Sequence, residues 1–185
     1  LIDIEGVRRK SLEALEIVFP KDRFNIVSCG RLSPAKGMDM AIDACAELVR
    51  RGLTAFHWWI VGGGPEENAL KAQVHRLHLE EYVTLLGMQA NPYPYIRQAD
   101  MYVQPSRFEA FGLTILEAQV LAIPVLSTRT DGGMELIKDG YDGILCDADA
   151  VSIADGVQML MAHPEMRQSC RDALAQQDFD AANKE

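Results

Sequence analysis

Short apolar runs alternate with stretches of helical period along the chain. Residues 24–30 (FNIVSCG) form an apolar run closed by glycine, which predicts a buried strand. Residues 38–51 then place Met38, Ile42, Cys45, Leu48 and Val49 on one helical face, and Gly52 closes the helix. A second strand is predicted over 55–61 (AFHWWIV), stopped by Gly62, Gly63, Gly64 and Pro65. Residues 66–77 read as a helix with acidic residues in its first turn, where the helix dipole favours them. Further strands are predicted over 83–86, 101–103, 124–127 and 143–146, with helices over 94–99 and 113–121. Two more helices, 151–162 and 165–176, are divided at Pro164.

Strands alternating with helices pair in parallel through right-handed crossovers. Continuous apolar strands such as AFHWWIV fit a sheet covered on both faces. The predicted fold class is therefore α/β: a doubly wound, parallel, six-stranded Rossmann-like sheet with helices on both faces. Its expected order, 3-2-1-4-5-6, opens a ligand crevice at the carboxyl ends of strands one and four. Chemistry is thus expected just after Gly30 and just after Val103.

A length of 185 residues and a 48% hydrophobic fraction describe about one well-cored domain and exclude disorder. No apolar run approaches the ~20 residues needed to cross a bilayer, and no signal pattern opens the chain. The chain begins at Leu1 and reads as a fragment. A net charge of −9, from 18 Lys+Arg against 27 Asp+Glu, disfavours broad binding to nucleic acid or anionic membrane. Any cation aimed at an anion must then act locally. Cys29, Cys45, Cys146 and Cys170 have no regular spacing and read as reduced thiols of a cytoplasmic protein.

The loop after the first strand, GRLSPAKG, puts Arg31 and Lys36 at a helix N-terminus, where free N–H groups already favour an anion. It is not a Walker loop, because Gly37 follows Lys36, and Gly62–Gly63–Gly64 lacks the third glycine of a dinucleotide fingerprint. Taken alone, the two cations are equally readable as solvated loop charges. After the fourth strand, Glu109 lies in a loop and Glu117 about one turn inside the next helix. Cations and helix ends suit a diphosphate, whereas carboxylates suit sugar hydroxyls. A glycosidase carboxylate pair is the competing chemistry, but it leaves two adjacent anion sites unused. Glu117 alone would be an ordinary helix carboxylate.

GRLSPAKG, VGGGPEENAL, the Glu109-x7-Glu117 spacing inside SRFEAFGLTILEA, then PVLST, Gly132, Glu135 and DGILC resemble a known family. It is the nucleotide-binding half of a retaining glycosyltransferase of family 4 (group 1), of GT-B architecture. The match runs from about residue 24 to about residue 160. The resemblance implies that Arg31 and Lys36 hold a donor diphosphate and that Glu117 holds the ribose hydroxyls. It implies that Glu109, with the backbone of Phe111, Gly112, Leu113 and Thr114, holds the transferred sugar. Glu109, Arg31 and Lys36 would be the catalytic set, Met88 and Gln89 would pack on the base, and Gly64 would join the donor site. The substrate would be a nucleotide-diphosphate sugar, with no cofactor and no required metal.

Residues 1–20 would be linker and first helix, and 21–185 the donor-binding domain. The acceptor-binding N-terminal domain of the same full-length chain would be a partner, and nucleic acid would not. The acceptor would be a glycan, lipid or other molecule, in polysaccharide or glycolipid biosynthesis, which leaves room for peripheral membrane association of the full-length protein. The 185-residue chain by itself is expected to bind nucleotide and transfer no sugar. Ala110 and Ala122 replace the glycines common in the family, and residues 131–135 fit only with a gap or a shifted glycine; these departures bear on sugar specificity more than on fold. The complete set of Arg31, Lys36, Glu109 and Glu117 favours an enzyme over a non-catalytic nucleotide or sugar-nucleotide binding module.

The Arg8-Arg9-Lys10 trio reads as a solvated face rather than a membrane patch. His75 and His78 are three apart, but no carboxylate or thiol is expected to join them, so they read as surface histidines. Trp58 and Trp59 read as core rather than as sugar-stacking rings.

Overall fold

The computed structural model describes residues 2–182, so residue 1 and residues 183–185, the outer ends of the two expected spans, lie outside the described residues. Six strands form one sheet: β1 (Phe24–Cys29), β2 (Phe56–Val61), β3 (Val83–Gly87), β4 (Met101–Gln104), β5 (Val125–Thr128) and β6 (Gly143–Cys146). All pair in parallel, in the order 3-2-1-4-5-6, as the alternation predicts. The helices are α1 (Ile4–Lys10), α2 (Met38–Arg50), α3 (Glu67–Arg76), α4 (Tyr93–Gln98) and α5 (Leu113–Val120). They continue with α6 (Asp131–Leu136), α7 (Ala150–Ala162), α8 (Pro164–Gln176) and α9 (Phe179–Ala182).

Side chains alternate across the strands, and both faces are buried, which is why the strands are apolar throughout. Ile26, Phe56, Trp58, Ile60, Met101 and Leu126 face α2 and α7. Val27, Trp59, Val61, Tyr102 and Val125 face α4 and α5. Trp58 and Trp59 are core residues, as expected, and each indole N–H is satisfied inside: by Ser28 Oγ at 3.0 Å and by Asn25 Oδ1 at 3.1 Å. All four cysteines are buried and unbridged.

A third apolar cluster joins the two ends of the described chain: Ile4 and Val7 of α1 meet Val120, Leu174 and Phe179. The segment after α1 is likewise tied down. Phe19 is buried and stacks on Trp59 with ring centroids 4.5 Å apart, a contact worth about 0.5–1.5 kcal/mol beyond its buried area.

Two helix ends hold residues in the left-handed region where glycine is the usual occupant. After α3, His78 (φ +55°) donates to His75 O while Leu79 N reaches back to Val74 O. After α5, Ala122 (φ +56°) and Ile123 make the same pair of bonds to Gln119 O and Ala118 O. Both are Schellman turns, which satisfy the last carbonyls of the helix. His75 and His78 are both exposed, as expected, and His78 leaves helical register to cap α3. One detail differs from the expectation: a carboxylate does join His75, whose Nδ1 lies 2.8 Å from Glu80 Oε1.

The short helix α6 lies outside every element predicted from the sequence. With two glycines in six residues it carries no periodic signal. It forms because the Thr130 hydroxyl caps Gly133 N and because Gly132 N donates to Glu109 O at 2.7 Å.

Candidate functional site

β1 and β4 are neighbours, so the loops that leave their carboxyl ends run side by side. They are bonded together. Ala35 O accepts from Arg107 N at 2.8 Å and from Phe108 N at 3.2 Å. The Arg107 guanidinium forks onto both Asp39 oxygens, at 2.9 and 2.7 Å, and also donates to Pro34 O. Arg107 beside Asp39 holds that carboxyl below its ordinary value. Gly37 sits at the crossing with φ +66°, where a Cβ would lie 2.0 Å from Pro105 O, so only glycine lets the two loops touch. On the other side, Gly132 backs onto residues 109–112, where a Cβ would lie 2.7 Å from Gly112 N. The second loop is thereby held between the first loop and α6.

A cavity of about 290 Å³ opens at this end of the sheet. Arg31 of the first loop, Gly62 and Gly63 after β2, Met88 and Gln89 after β3, and Thr114 of α5 line it. The unpartnered N–H groups of the first turn of α5 lie at the same edge. A larger cavity of about 660 Å³, between α6 and α8, takes in Glu135 of the family motifs but none of the residues expected to hold the donor. The smaller one is the candidate site, because Arg31, Met88, Gln89 and Thr114 line it; Lys36, Glu109 and Glu117 are not among its lining residues.

The predicted residues fall into three groups. Arg31 is exposed at the cavity, and its guanidinium has no hydrogen-bond or ion-pair partner among the described residues. Lys36 Nζ and Glu109 Oε2 form an ion pair at 2.7 Å, with the side chains 25% and 11% exposed. Glu117 stands apart from that pair, partly buried in α5, and accepts a hydrogen bond from the Tyr93 hydroxyl at 3.0 Å. Burial pushes the Glu117 carboxyl above its ordinary value, and the Tyr93 hydrogen bond opposes the shift. Its charge also reaches Cys29 at the cavity wall, a thiol that burial pushes up.

Of the remaining predicted residues, Met88 and Phe111 are almost fully exposed and Leu113 is about half exposed, while Gly112 is the buried N-cap of α5. Gly64 is not among the lining residues, and its carbonyl accepts from Glu67 N at 3.3 Å. The cavity takes Gly62 and Gly63 as lining instead.

Sequence reasoning missed four side chains that hold the site. Beyond the Arg107 clamp, a buried chain of hydrogen bonds runs beneath Glu109. The Tyr102 hydroxyl accepts from Cys29 N at 3.2 Å and donates to Gln104 Oε1 at 2.6 Å. Gln104 Nε2 donates to Ser106 Oγ at 2.8 Å, and Ser106 Oγ lies 3.5 Å from Glu109 Oε2. Burial keeps the Tyr102 phenol protonated far above its ordinary range. Gln104 and Ser106 do carry a signal, since polar residues at the end of a buried strand need partners.

The chain matches the family described as glycosyl transferases group 1 over residues 12–177. It is 32% identical over 157 residues to the alpha-D-kanosaminyltransferase of Streptomyces kanamyceticus, covering 83% of this chain and 40% of that protein. It is 31% identical over 173 residues to the N-acetylgalactosamine-N,N'-diacetylbacillosaminyl-diphospho-undecaprenol 4-alpha-N-acetylgalactosaminyltransferase of Campylobacter jejuni, covering 92% and 45%. The chain therefore spans less than half the length of these relatives. Among solved structures, Anabaena HepE in complex with UDP-glucose superposes with a TM-score of 0.76 at 26% identity, over 83% of this chain and 43% of that one. On these likenesses, and on a sheet and crevice arranged as its motifs predict, the chain belongs to the group 1 glycosyl transferases.

Proposed function

We propose that this chain is the donor-binding half of a retaining glycosyltransferase that moves a sugar from a nucleoside diphosphate to a glycan, lipid or other acceptor. The observation that carries the reading is Arg31: a guanidinium with no partner among the described residues, in a protein of net charge −9, at a cavity edged by the first turn of α5. A guanidinium without an internal partner is free to fork onto phosphate oxygens, and α5 contributes free N–H groups to the same edge. The base would pack between Met88 and Gln89, Glu117 would accept from the ribose, and Glu109 would accept from the sugar.

In this reading the chemistry is departure of the diphosphate. Arg31 and Lys36 stabilise the charge that develops as the glycosidic bond breaks, and fixed donors do this without reorganising. Two cations and a helix N-terminus take that role with no required metal. Lys36 is the bridge, since its ammonium already holds Glu109 and has further protons to offer a phosphate. A second, N-terminal domain would supply the acceptor side, and cleft closure would exclude water. UDP-glucose bound to HepE supports a nucleotide-sugar donor as the ligand class.

The test is calorimetry with UDP, GDP and ADP on the protein and on Arg31→Ala and Lys36→Ala. One of the three nucleotides should bind, and each variant should lose on the order of tenfold to a hundredfold, the worth of one charge-assisted hydrogen bond. Unchanged affinity in both variants would overturn the assignment.

A further inference from the structure

We propose that Tyr93 is a positioning residue for Glu117, fixing that carboxylate so that one oxygen is held and the other is presented to the ribose. The inference rests on the donor-site reading above and deepens it.

Tyr93 opens α4, on the crossover between β3 and β4, and its hydroxyl donates to Glu117 Oε1 at 3.0 Å. It is the sole hydrogen-bond partner of that carboxylate among the described residues. Glu117 Oε2 has none, yet it is not among the buried orphaned atoms of the described residues, which are Glu66 Oε2 and Arg167 Nε. Oε2 is therefore open to solvent and available to a ligand hydroxyl. A glutamate has three rotatable side-chain bonds, and holding one oxygen removes most of that freedom before a ligand arrives.

The tyrosine is itself anchored. Its ring packs against both the second core layer and the cluster that joins α1 to α5. Its N–H donates to Asn91 Oδ1, and Asn91 Nδ2 donates in turn to Lys10 O at 2.9 Å and Glu13 Oε2 at 2.8 Å. The end of α1 thus braces the turn that aims Tyr93. Burial and the Glu117 charge push the Tyr93 phenol up to about 12, so near neutral pH it keeps its proton and acts only as a donor to the carboxylate.

The experiment compares a nucleoside diphosphate with its 2′,3′-dideoxy analogue, using whichever of UDP, GDP or ADP binds. In the unaltered protein, loss of both ribose hydroxyls should weaken binding by about tenfold or more, the worth of a hydrogen bond to a charged group. Glu117→Ala should bind both ligands equally. Tyr93→Phe, which removes one oxygen, should bring the ratio to within about threefold of unity while leaving affinity for the dideoxy ligand unchanged. A merely structural role would weaken both ligands together. An undiminished ratio in Tyr93→Phe, with Glu117→Ala at unity, overturns this inference and leaves the donor site standing. No nucleotide binding in the unaltered protein, or a ratio retained in Glu117→Ala, overturns the donor-site assignment and the inference with it.

Should Tyr93→Phe fail to fold, 3-fluorotyrosine at position 93 reads the same contact. Its fluorine resonance should move on saturation with the diphosphate and stay in place with the dideoxy analogue. Equal movement with both ligands overturns the proposal.

Discussion

Lys36 Nζ and Glu109 Oε2 sit 2.7 Å apart, across the two loops that leave β1 and β4. The pair links the anion side of the proposed site to its sugar side. Glu109→Ala should therefore leave binding of a plain nucleoside diphosphate unchanged or slightly tighter, because Lys36 is released to the phosphates. The same variant should weaken the nucleotide-sugar by about tenfold or more, the worth of hydrogen bonds from sugar hydroxyls to a charged group. Paired titrations with diphosphate and nucleotide-sugar check this, and equal losses for both ligands would contradict it.

Arg31 should matter for binding and not for stability. Its guanidinium is exposed and has no partner among the described residues, so Arg31→Ala should alter the melting temperature by no more than about 2 °C, as expected of a surface substitution. Its nucleotide affinity should nevertheless fall as given above. Thermal melts run beside the binding titrations separate the two effects.

Ala122 closes α5 at φ +56°, in a position where its Cβ is strained. Ala122→Gly should relieve that strain, set against the greater freedom of glycine in the unfolded chain. A net gain of about 0.5–1 kcal/mol is expected, raising the melting temperature by about 1–4 °C. Urea unfolding of the variant measures it, and a loss of stability would mean that the Cβ makes a compensating contact.

The pH dependence of ribose recognition follows from Glu117, whose carboxyl is raised above its ordinary 4.5 mainly by burial. The ionised form accepts the ribose hydroxyls. Discrimination between the ribose and dideoxy ligands should thus begin to fall as acidification reaches the raised value, above 4.5, and taking the ratio cancels the titration of the phosphates. For stability the sign is reversed. The folded state binds this proton more tightly than the unfolded state, so Glu117 costs stability as pH rises through its raised value. Glu117→Gln should be the more stable protein near neutral pH, and the difference should vanish below the ordinary carboxylate range. Chemical unfolding at several pH values checks it.

Much of this site was legible in the sequence because the relevant signals are local. Glycine-closed apolar runs mark the strands, and their alternation with helices dictates the strand order and the place of the crevice. The relations between loops were not legible. Arg107 and Asp39 are 68 residues apart, and Tyr93 and Glu117 are 24 apart on different crossovers, so only the packed sheet brings them together. α6 has no period to read, being stabilised by its contact with Glu109 O. The cap at His78 was not legible either, because nothing in its neighbours announces a left-handed helix end.

In the proposed function a nucleotide-diphosphate sugar occupies the cavity lined by the loops after β1, β2 and β3 and by Thr114 of α5. Amide chemical-shift mapping on the labelled protein, titrated with UDP-, GDP- and ADP-sugars, tests it most directly. One donor should move the amides of Gly30, Arg31, Gly62, Gly63, Met88, Gln89 and Thr114, and leave those of Lys138, Tyr141 and Gln177 in the larger cavity where they are. Shifts concentrated in the α6–α8 cavity, or none with any donor at saturating concentration, would contradict the account.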